Sequence, residues 1–114
     1  MKVAIVGTRT YPDLEQVREY VRKLSPEDII VSGGAKGVDE TAEDEARKLG
    51  MEVISVPPEW DKYGRRAGLV RNEMIVGMAD CVVAFWDGAS RGTKYTIDSA
   101  KKQNMIVQVF NVVN

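Results

Sequence analysis

The sequence predicts an α/β chain: a Rossmann-like three-layer sandwich whose five-stranded parallel sheet, ordered 3-2-1-4-5, carries helices on both faces. Three observations predict it. Five short β-branched segments recur along the chain. The stretches between them carry the 3.6-residue period of amphipathic helices. A glycine-rich turn, Ser32-Gly33-Gly34-Ala35-Lys36-Gly37-Val38-Asp39, joins the second apolar segment to the next helical one.

The strand segments are Lys2–Val6, Asp28–Ser32, Met51–Val56, Asp80–Trp86 and Met105–Phe110, each too short for a core helix and rich in Val and Ile. The first helix shows the stripe Leu14, Val17, Val21 and Leu24, and the second shows Val38, Ala42, Ala46 and Leu49. The third, about Arg66–Met78, places Ala67, Met74, Ile75 and Met78 on one side; the fourth, about Gly92–Gln103, rests on Tyr95, Ile97 and Ala100. Boundary residues agree. Pro12-Asp13 opens the first helix, Ser25-Pro26 closes it, and Gly50 stands where a left-handed residue ends the second. Acids at the front of the second helix and bases at its rear suit the helix dipole. Strict alternation of strand and helix requires a parallel sheet with crossover connections.

With 114 residues and 44% hydrophobic content, the chain is sized for one domain spanning 1–114 and one core. Sixteen basic and seventeen acidic side chains leave a formal net charge of −1, which argues against a sequence-independent grip on long nucleic acid. The single cysteine, Cys81, supports neither a disulfide framework nor a thiolate metal cluster and is expected as buried filler. The first residues enter a strand with no apolar leader, and no apolar run approaches a membrane span, so a cytoplasmic chain is expected.

In such a sheet, ligands bind beyond the carboxyl ends of the strands. The loops there are Gly7-Thr8-Arg9-Thr10, the Ser32–Asp39 turn, and Asp87-Gly88-Ala89-Ser90-Arg91-Gly92-Thr93, all mixing glycine, hydroxyl and base. Free amides at a helix start and a backbone without Cβ atoms are suited to phosphate. The longer Pro57–Arg65 connection carries Trp60 and Tyr63, a base-stacking or lid pair. Arg71 shares the inward stripe of its helix and so needs an internal carboxylate or an anionic ligand, and Asn72 beside it suits a base or sugar edge. Each feature has a structural alternative. Glycines can serve turn geometry alone, and Asp39 can simply favour a helix start. Trp60 and Tyr63 can cover a sheet edge, and Arg71 can snorkel to solvent. Trp86, at a strand end, is expected in the core. Neither the G-x-G-x-x-G order nor a Walker A pattern is present.

Taken in order, Gly7-Thr8-Arg9, Ser32 to Asp39, Trp60-Asp61-Lys62-Tyr63-Gly64 with Ala67-Gly68, Arg71-Asn72-Glu73-Met74 and Asp87 to Thr93 resemble the YspA-like branch of the SLOG superfamily, named for Smf/DprA and Lonely Guy proteins. The resemblance implies a nucleotide-binding Rossmannoid domain and a homodimer. It implies phosphate handling by the Ser32–Asp39 turn and by Gly92-Thr93, with Arg71 as the matching helix arginine. Lonely Guy enzymes pair that arginine with a glutamate after a Pro-Gly-Gly-x-Gly-Thr motif. Here Lys94, Tyr95, Thr96, Ile97 and Asp98 follow Gly92-Thr93, and the glutamate is missing.

The ligand-binding candidates are thus Gly7, Thr8, Arg9, Ser32, Gly33, Gly34, Ala35, Lys36, Gly37, Asp39, Arg71, Asn72, Asp87, Gly88, Ser90, Arg91, Gly92 and Thr93. Three functions compete. A binding module or sensor would hold a nucleotide-derived ligand without turnover, with Mg²⁺ compatible as company for its phosphate. A nucleotide hydrolase would need Asp39, Asp87 or Asp98 as base or Mg²⁺ ligand. A non-catalytic oligomeric partner would use the glycine turns for geometry alone.

Overall fold

The computed structural model describes residues 1–111. Strands β1 (Lys2–Gly7), β2 (Ile29–Ser32), β3 (Val53–Ser55), β4 (Cys81–Trp86) and β5 (Ile106–Asn111) form one sheet in the order β3-β2-β1-β4-β5. Every pairing is parallel. Helices α1 (Leu14–Arg22), α2 (Val38–Lys48), α3 (Trp60–Tyr63), α4 (Ala67–Met78) and α5 (Arg91–Lys102) connect them, with a 3₁₀ turn at Gly64–Arg66 between α3 and α4. This is the expected fold.

In place of the one core expected, two form, one on each face of the sheet, because alternate residues of each strand point to opposite sides. Val3 and Ile5 of β1, with Val83 and Phe85 of β4, pack against Val17 and Val21 of α1 and Val38, Ala42 and Ala46 of α2. The alternating residues Ala4, Val6, Val82 and Ala84 pack against Ile75 and Val76 of α4 and Ile97 and Ala100 of α5. The chain runs outward from β1 through β2 to β3, then crosses back to β4. The order therefore reverses between β1 and β4, and the loops after these two strands flank the crevice where such sheets bind ligands.

Several boundaries are shorter than the sequence pattern. Met51 lies outside β3 because it closes α2: its amide donates to Ala46 O at 2.9 Å and that of Gly50, at φ 76°, donates to Arg47 O at 3.1 Å. This is a Schellman closure. Asn104 (φ 57°) and Met105 repeat it behind α5, which keeps Met105 out of β5. Asp28 takes the Ser25 amide at 3.1 Å and closes the turn before β2, while Asp80 takes the Lys2 amide at 2.7 Å across to the start of β1, so both acids precede their strands. Met74 leaves its expected inward stripe and is exposed, as are Leu69 and Trp60. Leu49 is exposed too, one position past α2. Cys81 is half-buried against the first core, not fully enclosed. Among the described residues, no helix is long and apolar enough to cross a membrane.

Candidate functional site

At the carboxyl rim of β1 and β4 lies a cavity of about 420 Å³, within the usual range for small-molecule sites. One wall is the loop after β1, Gly7 to Thr10. Another is the start of α5 with Ser90, Gly92, Thr93 and Thr96, and a third is α3–α4 with Trp60, Arg65, Gly68, Leu69, Arg71, Asn72 and Ile75. Ala35 and Asp39 close it from the glycine turn. Among the described residues, three guanidinium groups (Arg9, Arg65 and Arg71) and one carboxylate, Asp39, line this space.

The loop before α5 is built by Asp87. Its Oδ1 accepts the amides of Ala89 and Ser90, both at 2.8 Å, and these bonds, that of Ser90 foremost, hold its carboxyl below the ordinary range. The Asp87 amide in turn donates to Thr8 Oγ1 at 3.2 Å, tying the β1 and β4 loops together. Trp86 is only partly buried and donates its indole N–H to Ser90 O at 3.0 Å, so it braces the loop as well as packing against the second core. Ser90 caps no backbone amide of α5; its hydroxyl donates instead to Thr93 Oγ1 at 3.2 Å. The first amides of α5 thus keep their capacity to bind an anion.

Arg71 is anchored by two bonds. Nη1 donates to Gly33 O at 2.9 Å and Nε donates to Asn72 Oδ1 at 2.8 Å, while Asn72 Nδ2 reaches Gly92 O at 3.4 Å. A Cβ at Gly33 would stand 2.3 Å from Arg71 Nη1 and 3.0 Å from Asp39 Oδ2, so a side chain here would displace the guanidinium from its seat. The glycine therefore seats the guanidinium and the carboxylate side by side. Burial lowers the Arg71 pKa, Asp39 opposes that, and the like charge of Arg9 adds to it. Snorkelling is not the arrangement observed.

Asp39 is 6% exposed. It is not an N-cap; Gly37 holds that position with no side-chain bond. Oδ2 accepts the Ala35 amide at a long 3.4 Å, and Oδ1, fully enclosed, has no hydrogen-bond partner among the described residues. Burial pushes its pKa up to about 7, against the pull of the Ala35 amide, Arg71 and the Gly33 amide and with the added push of Glu43.

The expected site residues divide. Gly7, Thr8, Arg9, Ala35, Asp39, Trp60, Arg71, Asn72, Ser90, Gly92 and Thr93 share the cavity. Ser32 is fully buried beneath it, and Gly34 turns toward Ser55 and Glu43. Lys36 is exposed, and Gly37, Gly88 and Arg91 do not line the cavity. Tyr63 lies outside with Lys62 Nζ 5.2 Å from its ring centre. Asp98 is paired with Lys94 at 2.7 Å beside a separate hollow between α4 and α5. Of the three aspartates a hydrolase would call on, Asp39 alone reaches the cavity. Thr10, Arg65 and Gly68, expected only as parts of their segments, also line the cavity, and Val6, Leu69, Ile75 and Thr96 join them without having been expected there. The i, i+3 and i, i+4 spacing of Gly68, Arg71, Asn72 and Ile75 was the signal for part of that wall.

Gly37 adopts φ 86° and ψ −121°, and a Cβ there would stand 2.4 Å from Arg9 O. Gly37→Ala is expected to cost about 2–4 kcal/mol through backbone strain and displacement of the Arg9 loop. Chemical denaturation reads this directly, and an unchanged midpoint would contradict the close approach.

Residues 1–63 match the family model described as YAcAr, the YspA, cpYpsA-related SLOG family. The chain belongs to this family. Gene 61 protein of Mycobacterium phage D29 is 34% identical to this YAcAr chain over 116 residues, covering 93% of each. Among solved structures, DNA processing protein A (DprA) of Streptococcus pneumoniae aligns with a TM-score of 0.82 at 23% identity, over 99% of the YAcAr chain and 50% of its own. DNA processing protein A of Helicobacter pylori, whose structure concerns a single-stranded DNA binding mode, aligns with a TM-score of 0.68 at 24% identity, over 96% and 64%. The YAcAr chain thus spans half of the first and under two thirds of the second. Both likenesses establish the fold.

Proposed function

We propose that the chain is a binding module for a nucleotide or nucleotide-derived phosphorylated ligand, held in the rim cavity between the β1 loop, α4 and the start of α5. The observation that carries the reading is the charge imbalance of the cavity: Arg9, Arg65 and Arg71 against Asp39, beside an uncapped helix start. Two guanidinium groups, Arg9 and Arg71, already repel one another. An anion relieves that repulsion and receives directed donors. Ser90, Gly92 and Thr93 take the phosphate, and the exposed Trp60 at the mouth takes the base. Among the described residues, no group of three or more His, Cys, Asp or Glu could hold a metal ion, so Mg²⁺ would arrive on the ligand's phosphates.

The test is a thermal-shift panel of nucleoside mono- and diphosphates, in which at least one compound raises the melting temperature. Failure of every one favours the oligomeric-partner reading, and release of product on prolonged incubation favours the hydrolase. The Helicobacter pylori protein suggests a second occupant of the rim, a single DNA strand laid over Arg9, Arg65 and Trp60. An affinity that grows with oligonucleotide length and falls steeply with salt would favour it. Trp60→Ala is expected to weaken AMP binding by about 1–3 kcal/mol, the worth of one base stack, and to leave ribose 5-phosphate unaffected. Calorimetry with both probes checks this; equal losses would move the base away from Trp60.

A further inference from the structure

We propose that Asn72 is a positioning residue: its side-chain amide ties the Arg71 guanidinium to the start of α5, so that the two form one preset clamp for the ligand's phosphate. The inference rests on the binding reading above and names what keeps that site in order. Three observations carry it. First, Asn72 is bonded on both sides. Its Oδ1 accepts Arg71 Nε at 2.8 Å and its Nδ2 donates to Gly92 O at 3.4 Å, which links α4 to the second residue of α5. A side-chain amide offers an acceptor to the guanidinium and a donor to the carbonyl from one short stem. A carboxylate here would face Gly92 O with no proton, and leucine, of nearly the same shape, would offer neither bond. Second, the anchors fix Arg71 without exhausting it. Nε goes to Asn72 and Nη1 to Gly33 O, while Nη2 has no partner among the described residues, in a side chain that lines the cavity. Third, Arg71 has a competing partner that it does not take. The Asp39 carboxylate stands beside it across Gly33, yet the two act on each other through charge alone, with no hydrogen bond between them among the described residues. An unanchored guanidinium would close on that acid and withdraw its donors from the ligand. Asn72 and Gly33 O hold it off, and of the two Asn72 also reaches α5.

This role differs from the one the sequence suggests for Asn72, a contact to a base or sugar edge. Turning the amide toward a ligand would break both of its bonds and release Arg71. Held as it is, Asn72 fixes a long, rotamer-rich side chain before the ligand arrives, which removes part of the ordering cost from binding. Because the anchor acts through Arg71 and the phosphate, its worth does not depend on the base that the phosphate carries.

The experiment joins NMR of the Arg71 Nε–H with calorimetry on the full chain, using AMP, GMP and ribose 5-phosphate. In the unaltered protein that proton is expected to exchange slowly with water, both free and with AMP bound. Faster exchange on binding would mean that Asn72 has left Arg71 for the ligand, and overturns the inference with no variant needed. Asn72→Leu is expected to weaken all three probes by about tenfold, the worth of one hydrogen bond to a charged group. In an Arg71→Lys background, where there is no guanidinium to hold, the same substitution is expected to change affinity by about twofold at most. An equal loss in both backgrounds, or a loss confined to AMP or GMP, makes Asn72 a ligand contact and overturns the positioning role while leaving the binding module standing. Undiminished affinity in folded Asn72→Leu overturns it as well. Absence of binding by every probe overturns both proposals.

Discussion

Arg71→Ala is expected to remain folded and to weaken AMP binding by about 2–5 kcal/mol, the range for truncating one partner of a buried charge pair. That is roughly thirtyfold to several-thousandfold in Kd. The fold should survive because what Arg71 gives the protein itself is modest: one bond to Gly33 O, one to the neighbouring Asn72, and partial compensation of Asp39. Ala67, Ile75 and Val76 keep α4 docked on the sheet. Arg71→Lys keeps the charge but loses the planar fork that serves carbonyl and ligand together, so its loss falls between wild type and alanine. Calorimetry on variants checked by circular dichroism decides it. Undiminished affinity in folded Arg71→Ala would remove the residue from the site, and a variant that fails to fold would make Arg71 a structural partner of Asp39.

Measured against wild type, Asp39→Asn is expected to be more favourable to stability at pH 8 than at pH 4. The carboxyl is raised from 3.8 to about 7 in the folded chain, chiefly by burial, with Glu43 of α2 pushing the same way and Arg71 of α4 and the amides of Ala35 and Gly33 pulling back. A raised acid binds its proton more tightly when folded. The folded state is therefore favoured by this group below about pH 4, and the benefit drains away as pH rises through about 7. Asparagine does not titrate. The stability difference between variant and wild type should thus grow by on the order of 3 kcal/mol from pH 4 to pH 8. Urea midpoints measured across that span supply the test. A difference constant with pH would mean that Asp39 is an ordinary, fully solvated carboxylate.

Much of the fold was legible because its signals are local. β-branched runs, helical stripes and the Asp13 cap, whose carboxylate takes the Gln16 amide at 3.2 Å, each depend on a few adjacent residues. The reversal between β1 and β4 then follows from the alternation of elements. Strand ends were less legible because two of them are decided by closure bonds across a helix end, from Met51 to Ala46 and from Met105 to Ala100. For the candidate site, the sequence marked the loops but not the distribution of work among them. The Ser32–Asp39 turn reads as a phosphate cradle. In the fold, Gly33 and Gly37 make room for Arg71 and Arg9, leaving Ala35 and Asp39 at the cavity. That exchange joins residues 38 positions apart, as in the Arg71 to Gly33 bond, and no local pattern reports it. Arg65 was not singled out within its segment for a related reason: only the one-turn α3 and the 3₁₀ turn behind it bring its loop to the rim.

The central claim is that one rim cavity collects a phosphorylated metabolite, and amide NMR of the isotopically labelled chain titrated with AMP tests it most directly. The account predicts saturable shifts at Gly7, Thr8, Ala35, Asp39, Gly92 and Thr93, with residues lining the separate hollow between α4 and α5, such as Ser99 and Lys102, unmoved. Shifts confined to that second hollow, or none at millimolar AMP, would contradict it.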